Sequence, residues 1–126
     1  MKFSTRAEYG LRAIIHLVKS KEAVSLASIA KKEGISLAYL ERLFARLKKA
    51  KLIKSYKGVK GGYLLSKPAN KITVAQVIEA LEGSLYQIAC QDCDRCKCLV
   101  HPVWLKLYNQ IYKTLNSISL KSLISK

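Results

Sequence analysis

The chain has 126 residues, half of them hydrophobic, enough to fill one domain-sized core. Twenty-three Lys and Arg against 8 Asp and Glu leave a formal net charge of +15 at pH 7. An imbalance of that size is not that of an ordinary soluble enzyme and points to a polyanionic partner, nucleic acid or an anionic membrane. No apolar run approaches the roughly 18 residues that a spanning helix needs. The opening Met1-Lys2-Phe3-Ser4-Thr5 leads into an amphipathic segment rather than a secretory signal, so the expected location is the cytoplasm with no membrane partner.

Thr5-x-x-Glu8 reads as a capping box that starts the first helix, hydroxyl and carboxylate each meeting an orphan backbone amide. Ala7, Leu11, Ile14, Ile15 and Val18 then recur at helical spacing, and the segment ends near Ser20. Ser25 caps a short helix that carries Leu26, Ile29 and Ala30 inward, and Gly34 suits the left-handed turn that closes it. Ser36 caps the next helix, Leu37 to about Ala50, whose core stripe is Leu40, Leu43, Phe44 and Leu47. Tyr39 and Glu41 are expected on the face opposite that stripe. Glu41 is the only acid in the helix, there either to accept from a base or to pair with Arg42 or Arg46. Helix, tight turn and second helix with a basic outer face match a helix-turn-helix, whose second helix enters the DNA major groove. Such pairs also occur in plain helical bundles, so the pair alone is only moderately specific.

Leu52 to Leu65 read as two strands around the tip Lys57-Gly58-Val59-Lys60-Gly61-Gly62. A helix-turn-helix followed by a lysine-studded hairpin is a winged helix, and the wing suits phosphate contact and minor-groove insertion. A hairpin without a ligand has no need of Lys54, Lys57, Lys60 and Lys67 together. No acidic residue occurs between Glu41 and Glu79, while ten basic ones fall from Arg42 to Lys71. A merely solvated lysine face would carry interspersed carboxylates. The stretch that includes Arg42, Arg46, Lys57 and Lys60 is therefore expected to face double-stranded DNA.

Pro68-Ala69-Asn70 breaks the pattern, and Thr73-x-x-Gln76 then caps a helix that buries Val74, Val77, Ile78 and Leu81 and ends at Gly83. Pro102 can open the last helix, where its missing amide hydrogen is not needed. Trp104, Tyr108, Ile111, Leu115 and Ile118 form a heptad-like stripe, with Leu105 and Tyr112 beside it. A helix apolar on more than one side is expected to bury itself against a second copy; the alternative is a helix folded onto its own domain. The expected fold is mainly α with a small β-hairpin wing. It divides into a winged helix-turn-helix over 1–83, a Cys/His loop over 84–101, and a long dimerisation helix with its tail over 102–126.

Cys90, Cys93, Cys96, Cys98 and His101 fall within twelve residues. Thiolate and imidazole are the ligands of zinc and of iron–sulfur centres. Cys-x-Cys and Cys-x-x-Cys neighbours would close strained disulfide rings, and clustered cysteines in an intracellular chain read as metal-binding or redox-active. Signs of an enzyme are missing. There is no carboxylate pair or nucleophile–base pair, His16 lies among apolar residues, and Gly58-x-x-Gly61-Gly62 lacks the helix that a nucleotide loop needs.

Several stretches together, Met1 to Ala13, Gly34 to Leu47, the wing Lys57 to Leu65, Cys98-x-x-His101-Pro102-Val103-Trp104 and the ending Ser117 to Leu123, carry a family likeness. In them the chain resembles the iron–sulfur cluster regulator family of bacterial winged-helix transcription factors, the IscR/NsrR/CymR group. The resemblance implies a homodimeric DNA-binding regulator, here expected to be a repressor, whose affinity or sequence choice responds to a cluster. A 2Fe–2S cluster is the first choice, with 4Fe–4S or zinc behind it. By position, Ser36, Tyr39 and Glu41 match recognition-helix residues that meet DNA. Lys57 stands where many members carry a wing arginine, keeping the charge without the planar fork. Cys98 and His101 match the family's last cluster ligands, while Cys90, Cys93 and Cys96, more closely spaced than is usual, compete for the other places. Glu8 matches a position from which some relatives donate a carboxylate to the other subunit's cluster; the capping box explains it equally well.

Overall fold

Ser4 rather than Thr5 caps the first helix, its hydroxyl accepting the Arg6 amide at 3.1 Å, and α1 runs Thr5–Lys19. The expected Thr5/Glu8 box does not form, because Thr5 is already inside the helix and only a residue outside it can cap. Thr5 Oγ1 lies 3.3 Å from the Tyr39 hydroxyl instead, and Glu8 pairs with Arg12 one turn on at 3.7 Å. The computed structural model describes residues 4–59, 61–83 and 99–124.

The next two helices start and stop where their caps place them. α2 (Leu26–Glu33) begins at Ser25, which accepts the Ser28 amide, and ends at Gly34 with φ 67°. α3 (Leu37–Lys49) begins at Ser36, which accepts the Tyr39 amide at 3.1 Å. β1 (Ile53–Tyr56) and β2 (Gly62–Leu65) pair antiparallel, Ile53 opposite Leu65 and Tyr56 opposite Gly62. Val24 bridges Tyr63 on the far side of β2 through hydrogen bonds of 3.0 and 2.8 Å. Gly62 permits that approach: its φ is 150°, and a Cβ there would stand 2.4 Å from the Val24 carbonyl oxygen. A 3-10 turn (Ala69–Lys71) leads to α4 (Val74–Glu82), which carries the expected Thr73/Gln76 capping box.

α1, α3 and α4 enclose the core, where Ile14, Leu17, Leu40, Leu43, Phe44, Leu47, Val77 and Leu81 lose essentially all exposure. Burying each such side chain contributes about 1.5–3 kcal/mol. The buried stripe of α1 is Ala7, Gly10, Ala13, Ile14 and Leu17, turned from the expected one, and Leu11 and Val18 stand at its edge. Gly10 explains the turn. A Cβ there would meet Leu81 Cδ1 at 2.2 Å, so the small residues let α4 cross close to α1.

α5 (His101–Asn116) starts one residue before Pro102, and α6 (Leu120–Ile124) closes the chain. The segment between them returns to the start of α4: the Val74 amide donates to the Ile118 carbonyl and the Leu120 amide to that of Ile72, both at 2.8 Å. Leu120 is fully buried. Tyr108, Tyr112, Leu115 and Ile118 consequently pack around Ala7, Val74 and Ile78 of their own domain. Val103, Trp104, Leu105 and Leu107 at the other end are 37–57% exposed. The helix expected to face a partner is thus shared, one half folded back and one half open.

Candidate nucleic-acid interface and cysteine loop

On α3, Ser36 is exposed at the N-terminus with its hydroxyl engaged in the cap. Tyr39 is not opposite the core. Four residues before Leu43, it lies at the edge of the apolar stripe, half-buried and edge-on to Tyr9 with centroids 6.2 Å apart. Glu41 and Arg42 are exposed. Glu41 makes no ion pair among the described residues, so the alternative of a salt bridge to Arg42 or Arg46 is not realised. Arg46 turns elsewhere: Nη1 donates to the Leu81 carbonyl in the last turn of α4 at 3.0 Å.

The wing is joined to α3 by Phe44 and Tyr63, edge-on at 5.1 Å. Its tip is closed by the Gly61 amide donating to the Gly58 carbonyl at 2.9 Å, with Gly58 at φ 110°. Lys54 and Lys57 are exposed; Lys60 lies outside the described residues. Lys48, Lys51, Lys54 and Ser55 line a shallow groove beside β1, where Lys48 Nζ donates to Ser55 Oγ at 2.7 Å. From Arg42 to Lys71 the chain carries ten basic residues and no acid, so the second half of α3 and the wing are rich in positive charge.

The expected ligands Cys90, Cys93, Cys96 and Cys98 lie outside the described residues. His101, half-buried, is the first residue of α5. The N-terminus of α5, at His101, favours negative charge. Four thiols and an imidazole fit an iron–sulfur centre or zinc by donor chemistry. Glu8 is exposed and held by Arg12.

Four polar contacts had no sequence signal, their partners lying far apart in the chain. The Glu82 carboxylate, its side chain 7% exposed, accepts from the Ser4 hydroxyl and stands 3.8 Å from Arg6 Nε. His16, among apolar residues and partly buried, has a polar partner: its Nε2 lies 2.7 Å from Glu33 Oε2, and Arg12 Nε lies 3.3 Å from Oε1. The His16 hydrogen bond, aided by the Arg12 charge and opposed by burial, holds the Glu33 carboxyl below its usual range. A depressed carboxylate stabilises the fold above its ordinary titration range, and that contribution disappears as pH falls through the lowered value.

A capped reading helix, locked by an aromatic contact to a lysine-bearing hairpin, is the build of a winged-helix DNA-binding protein. Residues 3–126 match the family described as Rrf2, iron-dependent transcriptional regulator. The chain belongs to that family, and it is a transcriptional regulator, not an enzyme. It is 39% identical to the HTH-type transcriptional regulator IscR of Escherichia coli K12 (DH10B), over 99% of this chain and 81% of that one. CymR, the global cysteine regulator of B. subtilis, superposes with a TM-score of 0.85 at 32% identity, covering 99% of this chain and 97% of the other. IscR of T. potens superposes with a TM-score of 0.81 at 37% identity, covering 98% and 86%. No helix among the described residues is long and apolar enough to cross a membrane.

Proposed function

We propose that this chain is a cytoplasmic, homodimeric repressor whose grip on its operator is controlled by an iron–sulfur cluster in the Cys90–His101 loop. The observation that carries this reading is the order of parts. α4, hydrogen-bonded to the recognition helix, leads into the loop, and the loop leads through His101 into a helix whose first half is open and apolar. Residues 1–83 would read DNA, 84–101 sense, and 102–126 dimerise. Cys98 and His101, with two of Cys90, Cys93 and Cys96, would hold the cluster, 2Fe–2S before 4Fe–4S; Glu8 of a second copy is a lesser candidate. When bound, the cluster supplies a centre whose presence depends on iron and oxidants. Everything else belongs to the chain. Ser36, Tyr39, Glu41 and Arg42 stand on the reading helix, and Lys57 and Lys60 on the wing. The Glu41 carboxylate, without an ion pair among the described residues, suits acceptance from a cytosine amino group.

The likeness to CymR, a cysteine regulator, favours one second reading, a zinc or thiol-redox loop in the same place. Anaerobic purification separates the two. Coloured protein containing iron and sulfide, bleached by Cys98→Ala, is the expected result. Colourless protein with one tightly held zinc per chain, or none, would remove the cluster.

A further inference from the structure

The geometry points to Arg46 as a positioning residue: it fastens the recognition helix to the turn leading into the Cys90–His101 loop, so that the state of the loop sets the pose of α3. This inference deepens the proposed cluster control and rests on it. Arg46 leaves α3 one residue before the buried Leu47, in the last turn and a half of the helix, and its guanidinium reaches the Leu81 carbonyl, 35 residues further along. That carbonyl is among the four that a helix leaves without an internal partner at its C-terminus. A cation there also meets the negative end of the α4 dipole. The next residue, Glu82, is fastened on its other side: its nearly buried carboxylate accepts from Ser4 and faces Arg6 at the start of α1. Thr5 in turn touches the Tyr39 hydroxyl near the start of α3.

The last turn of α4 is therefore linked to both ends of the recognition helix, directly through Arg46 and indirectly through Ser4, Thr5 and Tyr39. Gly83 comes next with φ 94°, and the loop begins. Leu81 and Glu82 are the last two residues of α4 before Gly83, so a change in the chain's path there acts beside these two contacts. Leu81 has no room to yield, since it is fully buried against Gly10. The link is polar and directional, so it can break without collapsing the core.

Three variants test the assignment: Arg46→Met, which keeps the aliphatic stem, Arg46→Lys, and Glu82→Gln, whose site is too buried to touch DNA. Operator affinity is measured with the loop loaded and unloaded, against salt, alongside amide exchange of residues 79–83. If wild-type affinity differs between the two states by about 5–150-fold, Arg46→Met and Glu82→Gln should bring the ratio within about twofold of one. In the same variants exchange at Gly83 should quicken while the salt slope stays unchanged. Arg46→Lys should restore little, because the shorter lysine side chain carries its ammonium less far than the Nη1 that meets the Leu81 carbonyl. A slope flattened by about one unit for each phosphate no longer neutralised, restored by lysine, with the ratio and exchange untouched, would make Arg46 a phosphate ligand and overturn the proposal. Equal wild-type affinity in both states would remove the regulatory reading itself. The exchange and salt arms would then still decide where Arg46 acts.

Discussion

Gly10 shows how much one missing side chain can organise. It occupies the middle of α1, where glycine costs a helix about 1 kcal/mol relative to alanine, yet a Cβ there would press into Leu81 at 2.2 Å. Overpacking a filled core costs about 1–3 kcal/mol, so the steric term outweighs the propensity term. Gly10→Ala is expected to destabilise the protein by a net of up to ~2 kcal/mol in urea unfolding. In a Leu81→Ala background, where the space is open, the same substitution should be neutral or stabilising. Equal effects in both backgrounds would mean that α1 and α4 do not meet through this glycine. Tyr39 obeys the same local geometry. Its place beside Leu43 on the helix, rather than its polar hydroxyl, turns its ring toward Tyr9.

Elements were legible wherever their ends are made by local chemistry. Ser25, Ser36 and Thr73 accept amides three residues on, and Gly34 takes the left-handed turn, so the starts of α2, α3 and α4 come from a few adjacent residues. α1 departs from expectation by only one position, since Ser4 and Thr5 are both competent caps. The wing is an element whose role can be isolated. If about eight phosphates are neutralised per dimer, log affinity should fall against log salt with a slope near −7. Lys57→Ala should weaken binding to all sequences and flatten that slope by about one unit for each phosphate left unneutralised, counted per dimer. An unchanged slope would take the wing tip out of the interface. The substitution should leave the fold intact, because Lys57 is exposed and the hairpin is held by Phe44, Tyr63 and Val24.

At the scale of the molecule, α5 has a packed half and an exposed half. Its second half is anchored by the returning chain at Ile118 and Leu120, which leaves Val103, Trp104 and Leu107 facing outward at the end that adjoins the cysteine loop in sequence. Leu107→Glu places a charge on that open face and should weaken self-association by about 30-fold or more, read by light scattering across a dilution series. Helix content should not change, since Leu107 does not contribute to the buried core. A dimer of undiminished stability would move the contact to another surface.

What the sequence determined by itself was whatever nearest neighbours settle: caps, apolar stripes of large residues, the basic stretch, and five metal-competent donors within twelve residues. Only the tertiary structure decided which contacts join distant segments: Gly10 beneath Leu81, Glu33 beside His16 and Arg12, the C-terminal segment paired to Ile72 and Val74, and the exposed Arg46 hydrogen-bonded to α4. The physical reason is range. A cap or a stripe repeats every few residues and leaves a pattern, whereas a hydrogen bond between residues 35 or 78 positions apart depends on how helices cross, which no local pattern encodes.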